Sequence, residues 1–238
     1  MAFGLTASNG SNELTLSSDG LLLGYVGRAA FQSFVPNGTS TGESFAGYST
    51  YTINWPGSIV VAIGLSAAGN LASLRGQYQT GTVWTIEVWN SGTTTDSLGF
   101  FNQIEATVYV WGLPTTLSGY GLAIYNAAGV LSGDLTRRPL VAVARVAMPD
   151  GVTSISTPAV SAPAIIGSPQ RLTTLSTRPT GTFYVSRRQF GCWKWDPAAA
   201  TQLSRTRFQQ EYFQDDGGIP LQNLATATNA LLIEAVDL

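Results

Sequence analysis

The sequence predicts an all-β protein, two tandem immunoglobulin-like or jelly-roll-like β-sandwich domains, and three observations predict it. Short apolar segments alternate with turn residues about every ten positions, the rhythm of antiparallel sandwiches rather than of parallel sheets. No segment keeps a helical period over three turns. The chain also repeats itself. Phe3-Gly4-Leu5-Thr6-Ala7-Ser8-Asn9 returns as Tyr120-Gly121-Leu122-Ala123-Ile124-Tyr125-Asn126, and an overlay at a constant offset of 117 makes eight of 28 positions identical. Among them are Leu14 with Leu131, Leu23 with Leu140, Val26 with Val143, Arg28 with Arg145 and Ala30 with Ala147. A unit of half the chain means that each half begins with its own first strand, so domains are expected at 1–118 and 119–238. Leu117-Ser118-Gly119 is the natural boundary, with no long charged or proline-rich linker.

The elements follow in order. Residues 5–8 and 13–16 flank Asn9-Gly10-Ser11-Asn12, a hairpin signal because Asn-Gly accepts the positive φ of tight turns. Asn126-Ala127-Ala128-Gly129 holds the same place in the second half. Further strands are expected at 21–34, 59–65, 83–89 and 104–111, then at 121–125, 140–148, 152–160, 183–185, 192–195, 206–213 and 231–236. In 104–111, Ile104, Ala106, Val108 and Val110 point one way and Glu105, Thr107, Tyr109 and Trp111 the other. One face is then core, and the other is wet or covered by a partner. Gly81-Thr82-Val83-Trp84 and Gly181-Thr182-Phe183-Tyr184 read as equivalent strand starts, and 36–49 and 172–181 as variable loops.

Only 11% of the 238 residues are charged, against about 25% in an average domain, and the net charge is -2. A surface of Ser, Thr, Asn, Gln and Gly has few ions to desolvate when two faces meet, which favours an assembled state. Lys194 is the one lysine among 12 cations; arginine suits protein contacts, and a GC-rich genome produces the same bias. No basic run points to nucleic acid, so no nucleic-acid partner is expected. The apolar stretches 58–68 and 140–148 are strand-sized, so no membrane insertion is expected either. The start Met-Ala-Phe-Gly carries no secretory pattern, and a soluble product made in a cytoplasm is expected. Cys192 is the only cysteine, which reads as a partly buried apolar residue.

Histidine is absent, which removes the usual general base and the usual partner of a nucleophilic Ser or Cys. Gly38-Thr39-Ser40-Thr41-Gly42 matches a nucleophile elbow in spelling alone, since that device needs a strand-to-helix turn and a histidine. Glu87, Glu105, Asp134 and Asp150 are scattered, and Asp215-Asp216-Gly217-Gly218 lacks the further ligands of a calcium loop. No catalytic residue, metal ligand or cofactor is therefore expected. Trp193 and Trp195 flank Lys194 on one side of a strand, an arrangement that stacks on sugar rings or fills a core, and core or oligomer interface is the favoured reading. With Arg187 and Arg188 they form the candidate binding or interface set.

The repeated element, aromatic-Gly-Leu-x-x-x-Asn, a tight turn, an apolar strand, then a polar stretch before a Leu-rich strand, resembles the openings of small virion proteins of tailed bacteriophages from the tail-tip and tail-fibre region. Residues 120–129, followed by Asp134 and Arg138-Pro139-Leu140, are the closer match; the first copy has Asn12 in place of Gly and Leu22-Leu23 in place of Pro-Leu. The resemblance covers about thirty residues in each half. It implies non-enzymatic β-sandwich building blocks of a phage tail, whether tip, baseplate or fibre, located in the virion and assembled in the host cytoplasm. The partners it implies are other phage tail proteins and further copies of this chain, a homo-oligomer with a trimer favoured, and host attachment. The alternative is a carbohydrate-binding adhesion module that recognises host surface polysaccharide through exposed indoles.

Overall fold

A computed structural model describes residues 4–8, 13–17, 22–36, 38–40, 43–45, 47–65, 71–95, 101–116, 122–126, 128–149, 152–167, 171–177, 184–196, 202–215, 222–225 and 228–235. The first half holds β1 (Gly4–Ser8), β2 (Glu13–Ser17), β3 (Gly24–Arg28), β4 (Ala30–Val35), β5 (Gly38–Ser40), β6 (Glu43–Phe45), β7 (Tyr48–Asn54), β8 (Ile59–Gly64), β9 (Leu71–Thr80), β10 (Val83–Thr95), β11 (Phe101–Gln103) and β12 (Val108–Gly112). The second holds β13 (Ala123–Tyr125), β14 (Leu131–Asp134), β15 (Ala142–Met148), β16 (Ser154–Ser156), β17 (Pro163–Ile166), β18 (Arg171–Thr177), β19 (Tyr184–Asp196), β20 (Gln202–Asp215), β21 (Gln222–Ala225) and β22 (Thr228–Glu234).

Two hairpins, β1–β2 and β13–β14, stand as separate two-stranded sheets, and the other strands form one sheet of six and one of twelve. The smaller sheet runs β3-β12-β8-β17-β22-β15, and the centre of the larger runs β7-β10-β9-β19-β20-β16. Each order is a palindrome in the repeat: three strands of the first half, then their counterparts in reverse. The halves join where Ile63 and Gly64 face Ile165 and Ala164, and where Leu71 and Ala72 face Lys194 and Trp193. The all-β sandwich class is thus what the chain adopts, each half giving strands to both layers and both sheets running across the halves. The boundary expected at 117–119 lies outside the described residues.

The duplication persists in the registers. Opposite β12, β3 skips one residue, Val26, because Gly27 faces Val110 while Tyr25 faces Trp111. Opposite β22, β15 skips Val143, because Ala144 faces Leu232 while Ala142 faces Ile233. The two bulged valines are 117 positions apart, the offset of the sequence overlay. Gly27, at φ 152°, gives the first bulge a conformation that a side chain resists. Val61 faces Val110 as Ile165 faces Leu232, so Trp111 corresponds to Ile233 and Gly112 to Glu234.

The six-stranded sheet also closes on itself. The strip before β15 pairs with the start of β3: Tyr25 N donates to Arg138 O at 2.8 Å, Leu140 N to Leu23 O at 3.0 Å, and Gly24 bridges Pro139. The two ends of the strand order therefore meet, and the six strands form a ring. Val61, Ile63, Val108, Val110, Ile165 and Leu232 face outward from it onto Tyr51, Ile86, Val88, Trp193 and Leu203 of the larger sheet. Ala62, Tyr109, Trp111, Ala164 and Ile233 form a second cluster with Leu23, Tyr25, Leu140 and Ile166, drawn from all round the ring. A six-stranded ring has a narrow bore, which suits its alanines.

This closure changes the reading of 104–111. The strand begins only at Val108, and its second face is neither wet nor left to a partner: Tyr109 and Trp111 are buried inside the ring. The stretch 21–34 is two strands in different sheets, parted at Ala29, whose N–H donates to Val108 O. Residues 184–185 and 192–195 belong to one long strand, β19, the expected loop 36–49 contains β5 and β6, and the expected loop 172–181 overlaps β18. Gly81, at φ 62°, makes the tight turn into β10, whose counterpart in the palindrome is β20 and not β19.

Candidate functional site at the mouth of the ring

Trp193 and Trp195 are in the core, 0% and 3% exposed, with exposed Lys194 between them. Trp193 Nε1 donates to Gly167 O at 2.9 Å, so the indole's one polar atom is satisfied inside the protein. Neither ring offers a face to a sugar, and of the alternatives weighed for this pair the core is the one seen. Alternation along the strand separated Lys194 from the indoles correctly; which side was covered depends on the ring lying over it. Arg187 and Arg188 lie on the distal part of β19, facing Leu175 and Thr174 of β18 and Tyr212 and Glu211 of β20, and their side chains lie outside the described residues. Cys192 is fully buried, and burial pushes its thiol far up, which makes it inert.

The site that the sequence did not single out is a groove of about 390 Å³ lined by Trp111, Arg138, Pro139, Val141, Val143, Ile233 and Glu234. Its elements are β12, the strip leading into β15, and β22, brought together by ring closure. Val141 is 60% and Val143 39% exposed, and with Leu122, Tyr125 and Val130 they make five of the eight large exposed apolar residues described. Trp111 lies 5.4 Å from Tyr25 and 6.4 Å from Tyr109, ring to ring, and its buried Nε1 has no hydrogen-bond partner. Glu234 accepts hydrogen bonds from Ser161 Oγ at 2.7 Å and Ser161 N at 3.2 Å, which hold its carboxyl below the usual range. The lining is apolar with one guanidinium and one carboxylate, which suits the seating of a chain segment better than proton transfer.

The counterpart places in the first half are covered. Leu22, Gly24, Val26, Trp111 and Gly112 stand where Pro139, Val141, Val143, Ile233 and Glu234 stand in the second half. Over Leu22 and Gly24 lies the strip that follows β13: Leu22 N donates to Ser132 O at 2.8 Å, Gly133 packs on Leu22, and Arg137 packs on Gly24, while Val26 packs on the core between the sheets and Gly112 on Trp55. A Cβ on Gly133 would meet Leu22 Cβ at 2.9 Å, and one on Gly24 would meet Arg137 Cβ at 2.7 Å. Departures between the two copies at these positions were the only sequence signal of the groove. Elsewhere, Arg75 pairs with Glu87 and lies over Tyr48 at 4.1 Å and Trp89 at 5.8 Å, a cluster whose charges are matched within the chain. Comparisons with protein-family models, curated proteins and solved structures find no match to this chain.

Proposed function

We propose that this chain is a non-enzymatic structural component of a bacteriophage tail, at the tip, baseplate or fibre, held among other tail proteins and further copies of itself. The observation that carries the reading is the concentration of exposed apolar side chains, Leu122, Tyr125, Val130, Val141 and Val143, on one stretch of a chain with only 11% charged residues. Exposed apolar surface of this kind is what protein contacts cover. The repeated aromatic-Gly-Leu-x-x-x-Asn element supplies the phage assignment. The carbohydrate-binding alternative looks to exposed indoles, and the burial of Trp193 and Trp195 removes that pair from its support.

Light scattering on the purified chain and immunodetection on tail particles test the proposal together. An oligomer in solution and a signal on particles are expected. A monodisperse monomer with no signal on particles would overturn it.

A further inference from the structure

We infer that two copies of this chain pair about a twofold axis, the tip of hairpin β13–β14 of each copy seated in the groove over Pro139, Val141 and Val143 of the other. This deepens the reading of the chain as a self-assembling component and rests on it. The tip is a rigid projection. Tyr125 and Val130 flank the turn 126–129, where Asn126 N donates to Val130 O at 2.9 Å and Asn126 Oδ1 accepts from Ala128 N and Val130 N. Such a turn has little conformational freedom left to lose on binding. Leu122, Tyr125 and Val130 are each about half exposed, and the segment 122–130 holds no charged residue.

Backbone pairing sets this projection beside the groove. Successive residues of an extended strand turn their hydrogen-bonding groups to opposite edges. Leu22 N donates to Ser132 O at one edge, and Leu23 O accepts from Leu140 N at the other. Strand β14 and the strip leading to Val141 are thus two strand spacings apart, about 10 Å. A chain of this length is about 40 Å across, so features this close share one face. A twofold axis between them puts each tip in the other copy's groove and closes the pair, whereas a three-fold ring needs its two contact surfaces on different faces. The placement therefore favours two copies over the trimer expected from the resemblance.

Area and charge agree with a second copy as the occupant. Tip and groove together expose Leu122, Tyr125, Val130, Val141 and Val143, roughly 400–500 Å² of apolar side chain, as large a patch as a monomer ordinarily keeps. An interface that is about 57% apolar and built on this patch covers about 800 Å² per partner, the area a stable pair of standard size buries. The groove carries one charge of each sign, Arg138 and Glu234, so an uncharged tip seated there buries no net charge.

The test is sedimentation of the full chain with and without Tyr125→Asp. A dimer is expected at micromolar concentration, weakened at least about thirtyfold by Tyr125→Asp as an aromatic anchor is lost, and kept by Tyr125→Phe. Cross-linking is the second measurement, with Val130→Cys and Val143→Cys made as separate proteins; Cys192 is buried and takes no part. After oxidation, the mixture is expected to give more disulfide-linked dimer than either protein alone. A monomer, a trimer, a dimer that Tyr125→Asp leaves intact, or no excess of linked dimer in the mixture would overturn the pairing. If such a chain is still detected on tail particles, the pairing alone falls; a monomer absent from particles would overturn the assembly reading as well.

Discussion

Leu22, Gly24, Val26 and Gly112 occupy the same four places of a duplicated frame as Pro139, Val141, Val143 and Glu234, yet the first set is packed over and the second lines an open groove. Backbone register, including a bulge at Val26 and Val143, is shared by the two halves. What differs is side-chain size. Glycine at 24 and 112 lets Arg137 and Trp55 come into contact, whereas valine and glutamate at 141 and 234 hold a groove open. Duplication set the ladders, and a handful of substitutions decided which copy became surface.

The comparison can be broken most forcefully at Trp111, buried at 2% exposure between the two sites. Trp111→Ala should cost about 3–5 kcal/mol in urea unfolding, because an indole's contacts are lost from a ring that cannot collapse around the gap. Gly112→Ala should cost about 1–3 kcal/mol, since its Cβ would fall on the Trp55 indole. At the equivalent place Glu234→Ala should stay within about 0.5 kcal/mol. Equal effects at 112 and 234 would mean that the halves are packed alike. Exchanging the residues of the two copies sharpens the point: Gly24→Val should destabilise by about 1–3 kcal/mol against Arg137. Val141→Gly, at an exposed position, should cost only about 0.5–1 kcal/mol.

The smallest effect is electrostatic. Glu234 has a folded pKa below its unfolded one because Ser161 donates to its carboxylate, so this bond stabilises the fold above the ordinary carboxylate range. The contribution is lost as pH falls through the depressed folded value. Ser161→Ala should raise the Glu234 pKa in a carboxyl-detected NMR titration, and the stability gap between the two proteins should close in acid.

Much of the frame was legible because it is local. The offset of 117, the pairing of β1 with β2, the Asn126 turn and the alternation of Val108 and Val110 with Tyr109 and Trp111 all depend on near neighbours. The Asn126 turn is held as its sequence implies, with Oδ1 accepting from Ala128 N and Val130 N and Gly129 at φ 75°. Strand β9 escaped notice because Gln77, Tyr78 and Gln79 are exposed and read as loop; its pairing with β10 decides its state. Ring closure rests on contacts between residues more than 110 positions apart, which no local pattern records. The groove, which exists only because of that closure, was hidden for the same reason.

The hydrogen bonds between β8 and β17 and between β9 and β19 have a thermal consequence. Opening either half would strip the other of pairing partners in both layers, so neither can melt first at low cost. Heating should therefore give one cooperative transition with equal calorimetric and van't Hoff enthalpies, and damage to one copy should be felt by the whole molecule.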